Sequence, residues 1–134
     1  MRINESQENY LERILLLKRQ KGYARSVDIA DSLGVTKPSV SVAMKQLREN
    51  GLITMDDDYL IHLTDAGRSI AESMLNRHMA LARILMHLGV DEETAFEDAC
   101  KIEHDISQQS FDALCSFANQ HLDLELNCAK PSGD

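Results

Sequence analysis

The chain has 134 residues, of which 43% are hydrophobic and only 4% aromatic, and its formal net charge is −8 at pH 7. That length suits one domain of ordinary size or two small lobes, and two prolines and six glycines suit a mostly helical chain. No apolar run approaches the roughly 20 residues of a membrane span, the opening Met1-Arg2-Ile3-Asn4-Glu5 lacks signal-peptide architecture, and three cysteines without framework spacing speak against a disulfide scaffold, so a cytoplasmic protein is expected.

The acidic total conceals an asymmetry. From Arg13 to Arg48 there are eight Lys or Arg against two acids, Asp28 and Asp31, whereas from Arg68 onward five bases face twelve acids. A basic front and an acidic back fit a lobe that faces phosphates joined to one that takes cations or partners.

In chain order, Ser6 to Lys21 carries Tyr10, Leu11, Ile14, Leu15 and Leu17 on one arc and predicts an amphipathic helix ended by Gly22. Ser26 is expected to cap a short helix to Leu33, with Val27, Ile29, Ala30 and Leu33 facing in. Gly34-Val35 makes a turn, Thr36 caps the next helix, Pro38 fits its first turn, and Asn50-Gly51 stops it. Leu52 to Met55 and Tyr59 to Leu63 flank Asp56-Asp57-Asp58 and predict a β-hairpin. Thr64 opens a long helix to about His87, Gly89 breaks it, Asp91 starts another, and Ser107 to about Gln120 is the last. Asn127 to Asp134 is expected to be a frayed tail.

The two helices around Gly34 form a helix-turn-helix pattern: a small Ala30 where helices approach, a glycine at the turn, and Val35 and Val40 expected as core plugs. The start of the second helix would meet base edges in a DNA major groove. Thr36, Lys37, Pro38, Ser39 and Ser41 are the candidates there, with Lys45, Arg48 and Arg25 as further DNA-facing residues. The hairpin reads as a wing, although its three aspartates would repel phosphates and are expected to stay off DNA.

The helix after Asp91 carries a different chemistry. Cys100, Glu103 and His104 are three or four residues apart and share a face. Thiolate, carboxylate and imidazole are ligands for first-row transition metals. Phe96, Ala99, Ile102 and Ile106 define the apolar arc, and Glu103 falls inside it, where a carboxylate is costly unless paired or metal-bound. On the long helix, His78 lies within a stripe of Ala71, Met74, Ala82 and Leu85; its partner there would be a metal or a carbonyl group. Asn9 and Glu12 share a face opposite the apolar arc of the first helix, which suits solvent as well as a ligand role.

The run Glu8-Asn9-Tyr10-Leu11-Glu12, the segment Gly22-Tyr23-Ala24-Arg25, the helix-turn-helix, Leu63-Thr64-Asp65-Ala66-Gly67, Arg77-His78, Gly89-Val90-Asp91 and Asp98 to His104 together resemble the diphtheria toxin repressor and manganese transport regulator family of metal-dependent repressors. The resemblance covers about Ser6 to Ser110, and the short length is similar to the manganese branch. It implies a mostly α homodimer, with a winged helix-turn-helix over 1–65 and a helical metal-binding and dimerisation domain over 66–134. Its partners would be double-stranded operator DNA and a second copy, with no membrane and no enzymatic role. The ligands carried over by position are Glu12, His78, Cys100, Glu103 and His104, with Asn9 as a further position.

The pattern is a hybrid. Manganese regulators carry an aspartate where Asn9 stands and a glutamate at Cys100, whereas iron-type members carry methionine and cysteine at those positions. Glu12 follows the manganese branch, and Ala82 and Phe96 replace iron-type ancillary ligands. One good site with a weaker second one is expected. A thiolate softens the site toward Fe(II), Co(II), Ni(II) or Zn(II) and away from Mn(II), so Fe(II) is favoured as co-repressor, with Mn(II) next. Metal would fix two recognition helices roughly 34 Å apart, one DNA turn. The alternative is a winged-helix regulator that answers to thiol oxidation at Cys100. A hydrolase using Glu103 as base lacks any accompanying nucleophile motif.

Overall fold

The computed structural model describes residues 4–124 and 126; the tail from Asn127 onward lies outside the described residues. Six helices and one hairpin follow in order: α1 (Glu5–Lys21), α2 (Ser26–Leu33), α3 (Lys37–Glu49), β1 (Ile53–Met55), β2 (Ile61–Leu63), α4 (Asp65–His87), α5 (Glu92–Asp105) and α6 (Gln108–His121). They form two compact units that divide after Glu72, within α4. No helix among the described residues is long and apolar enough to cross a membrane.

In the first unit, α1 starts one residue before Ser6 because Asn4 and Gln7 form a reciprocal capping box, Asn4 Oδ1 accepting from the Gln7 amide at 2.8 Å and Gln7 Oε1 from the Asn4 amide at 3.1 Å. Gly22 ends the helix in the left-handed region at φ 87°. Ser26 is the first residue of α2, not its cap; Arg25 takes that position without a side-chain bond. Thr36 caps α3 by accepting from the Ser39 amide. The core gathers Leu11, Ile14, Ile29, Val40, Leu47, Leu52, Ile53 and Ile61.

Two expected core positions face outward. Val27 is 36% exposed and Val35 38%, because Asp28 and Val40 occupy the inward positions. Asp28 enters the buried side with its counter-ions, Arg25 Nε at 3.2 Å and Lys21 Nζ at 3.5 Å.

The hairpin pairs Ile53 with Leu63, Thr54 with His62 and Met55 with Ile61, antiparallel. It is shorter than the apolar runs predicted, since Asp56 Oδ1 draws the amides of Asp58 and Leu60 into the turn. Lys18 Nζ donates to His62 Nδ1 at 3.0 Å, and His62 Nε2 donates to Asp56 Oδ2 at 2.9 Å, a relay from α1 to the wing. The Ile61 amide adds a bond to the Ala24 carbonyl at 2.8 Å. Thr64 Oγ1 accepts from the Gly67 amide and opens α4. Gly67 is required there: a Cβ at this position would run into the carbonyl of Leu52.

The second unit packs the later part of α4, α5 and α6. Ala80, Leu81, Ala82, Ala99, Phe111 and Cys115 form its buried cluster, with Phe96, Ile102 and Ile106 against it. Asp91 caps α5 and Ser107 caps α6, each accepting the amide three residues on.

Candidate metal centre and recognition helix

Glu103 is the pivot of the second unit's polar interior. It lies on the last turn of α5 and is fully buried. Its two oxygens address different imidazoles: Oε2 stands 3.3 Å from His78 Nδ1 on α4, and Oε1 stands 3.3 Å from His104 Nε2 on α5. Cys100 Sγ completes a group with His78 and Glu103 whose ligand atoms all lie within 4.8 Å of one another. Two donors each about 2.1 Å from a tetrahedral ion are roughly 3.4 Å apart, so the two 3.3 Å separations fit edges of a coordination shell. The donor set, imidazole, thiol and carboxylate, is also one that first-row metals accept.

Helical phase explains the convergence. Cys100, Glu103 and His104 fall on successive turns of one α5 face. The His78 ring tilts against Phe96, with centroids 5.4 Å apart, so an apolar wall flanks the cluster. The chain end of α5 is held by a residue that pattern-reading passed over. Arg77 Nη1 donates to the carbonyls of Glu103 and Ile106 at 3.1 and 2.9 Å, Nη2 donates to Gln108 Oε1 at 2.8 Å, and the guanidinium lies over the Phe111 ring. A cation on the terminal carbonyls of a helix satisfies both their lone pairs and the helix dipole. Arg77 therefore positions the backbone that carries Glu103 and His104.

The remaining candidates belong to α1 in the first unit. Glu12 is 6% exposed and Asn9 is half-buried, so Glu12 is not the solvated residue that the alternative reading of its face allowed.

In the recognition helix the candidate residues lie on an exposed face. Thr36, Lys37, Pro38, Ser39, Ser41, Lys45 and Arg48 are all exposed, while Val40, Ala43, Met44 and Leu47 are buried. Arg25 is exposed too, yet its Nε is committed to Asp28 and its guanidinium lies 5.1 Å over the Tyr23 ring. Burial pushes the Asp28 carboxyl up, but the Arg25 hydrogen bond and the charges of Arg25 and Lys21 outweigh it and hold it below its ordinary value.

Residues 2–59 match the family described as the iron dependent repressor, N-terminal DNA binding domain, and residues 64–122 match the iron dependent repressor, metal binding and dimerisation domain. The chain is 38% identical to the transcriptional regulator MntR of Salmonella typhimurium over 85% of its own length and 73% of that protein. It is 36% identical to the HTH-type transcriptional regulator MntR of Lysinibacillus sphaericus, over 84% and 81%. Among solved structures, the manganese regulator SloR superposes with a TM-score of 0.73 at 28% identity, over 89% of this chain; the chain spans about half of that one, 55%.

Proposed function

Because the chain belongs to the iron-dependent repressor family of metal-dependent transcriptional regulators, we propose that it represses transcription from operator DNA when a divalent first-row metal occupies the cluster of His78, Cys100, Glu103 and His104. The observation that carries this reading is the meeting of His78 Nδ1, Cys100 Sγ and a Glu103 oxygen within 4.8 Å in one unit; the other unit carries a helix-turn-helix whose candidate DNA-facing side chains are all exposed. When bound, the metal supplies positive charge that lets a carboxylate and a thiolate ionise side by side. His78 and His104 contribute neutral nitrogens, and Arg77 keeps the end of α5 in register. Glu12 and Asn9 join the ligand set by resemblance, Asn9 offering only a neutral oxygen.

The choice of metal follows from Cys100. The relatives' names point to manganese, since the structural neighbour is a manganese regulator. A thiolate among the donors favours Fe(II), Co(II), Ni(II) or Zn(II). Fe(II) is our preferred co-repressor and Mn(II) its competitor. Recognition helices of a homodimer would meet successive major grooves, as the dimerisation domain of the family supports.

The test is anaerobic fluorescence anisotropy with the chain's own upstream DNA, titrated with Fe(II), Mn(II) and Zn(II) at buffered free concentrations. A rise in affinity of at least about tenfold with one metal, roughly 1.4 kcal/mol of coupling, is the expected result and names that metal. Tight binding that ignores every metal would overturn the co-repressor reading.

A further inference from the structure

The face of α3 turned away from the core carries one residue that a merely solvated face does not explain. Val42 is 59% exposed. At 100° per residue it lies about 200° around the helix from buried Val40, near the middle of the outward arc, between Pro38 and Lys45 on one side and Gln46 on the other. Exposed Val35, in the turn before α3, lines with Val42, Ser39 and Gln46 one open concavity of about 480 Å³, whose other side is Ser6 and Tyr10 of α1 and whose floor includes buried Ala43. Gln46 is also exposed and stands one turn beyond Val42 on the same side. Single exposed valines are ordinary. Two of them, joined in one concavity with an amide and with Lys45 next to Val42 on the outward arc, make an apolar and amide surface edged by a cation.

That combination matches the major groove of a duplex. The groove offers the thymine C5 methyl as its one apolar feature and presents adenine N6 and N7 as a donor–acceptor pair that a glutamine amide answers with two hydrogen bonds. Lys45, and exposed Lys37 and Arg48 on the flank of α3 away from Gln46, meet phosphates. One helical turn rises about 5.4 Å, so side chains one turn apart reach base pairs one or two steps apart.

We propose that Val42 and Gln46 are the base-reading pair of this chain, Val42 packing on a thymine methyl and Gln46 gripping an adenine within two base pairs of it. The pair rests on the DNA-binding reading above and gives that reading its sequence content. Ser39 and Val35 shape the concavity that receives the methyl.

The test begins with selection from randomised duplex DNA by the whole chain, with Mn(II) and, anaerobically, with Fe(II). Each thymine of the enriched half-site is then replaced by uracil, which removes only the methyl, and each adenine by 7-deazaadenine, which removes only N7. One uracil position is expected to weaken the wild type about fivefold or more while leaving Val42→Ala indifferent, and one deaza position to do the same for the wild type against Gln46→Ala. Equal losses in wild type and variants at every position overturn the assignment, as does a Val42→Ala chain that binds all sequences as the wild type does. The uracil series on the wild type alone keeps the question decidable if a variant folds poorly: no sensitive thymine overturns the Val42 contact. Enrichment of no sequence with any metal overturns the DNA reading itself, an outcome distinct from failure of the pair.

Discussion

Glu103 and Arg77 are tied through the main chain: the Glu103 carbonyl accepts from Arg77 Nη1 at 3.1 Å while the Glu103 carboxylate turns the other way, toward His78 and His104. One residue thus serves the frame with its backbone and the donor cluster with its side chain, and substitutions can separate the two.

Glu103→Gln keeps the shape and the carbonyl bond but removes the charge. Metal affinity should fall at least about tenfold, measured by competition with a chromophoric chelator, with the thermal midpoint of the metal-free chain little changed. Unaltered affinity would remove Glu103 from the ligand set.

Arg77→Lys keeps a cation but loses the planar fork that reaches two carbonyls and Gln108. Loss of these bonds should destabilise the second unit by about 2 kcal/mol and weaken metal binding without removing any donor. Calorimetric unfolding and metal titration of the same variant check both effects; an unchanged midpoint would mean that Arg77 holds nothing.

Cys100→Glu exchanges the soft donor for a hard one. The ratio of Fe(II) to Mn(II) affinity should fall by about tenfold or more, while DNA binding remains metal-dependent. Abolished regulation with both metals retained would instead point to the thiol itself as the sensor.

Gly67→Ala would ordinarily strengthen a helix by up to about 1 kcal/mol. Here the added methyl meets the Leu52 carbonyl, and we expect net destabilisation of about 2 kcal/mol, read from urea unfolding. A stabilised variant would contradict the close approach of α4 to the start of β1.

The depressed Asp28 carboxyl sets a pH dependence with a definite sign. The unfolded chain takes up its proton at higher pH than the folded one, so the stabilisation is complete above the ordinary aspartate value and disappears as pH falls through the lower folded value. Asp28→Asn should flatten that acid limb in thermal midpoints recorded from about pH 5 to pH 2. An identical limb in both proteins would show that the ion pairs with Arg25 and Lys21 contribute nothing.

The helix-turn-helix was legible because its signals are local: Thr36 as cap, Pro38 in the first turn, glycines at the left-handed positions. Burial of Glu103 was legible from helical phase alone, since it falls within the apolar arc of α5. Val27 and Val35 were misplaced because periodicity identifies an apolar residue without saying what covers it, and the buried Asp28 took the inward side through cations at positions 21 and 25. Asn4 was missed although Asn-x-x-Gln is a capping-box signal. Arg77 stood in the sequence only within the Arg77-His78 match, and its role left no comparable trace, because two of its acceptors are main-chain carbonyls 26 and 29 residues away, and a carbonyl has no letter in the sequence.

Cys100, Glu103 and His104 occupy little more than one turn of α5, whereas the bonds that hold that helix at its two ends come from Asp91 and Arg77. The scaffold and the donor atoms are therefore separately mutable. On the proposed ligand set, a single codon change at position 100 would retune which ion the cell reports through this protein, with no rebuilding of the helix that presents it.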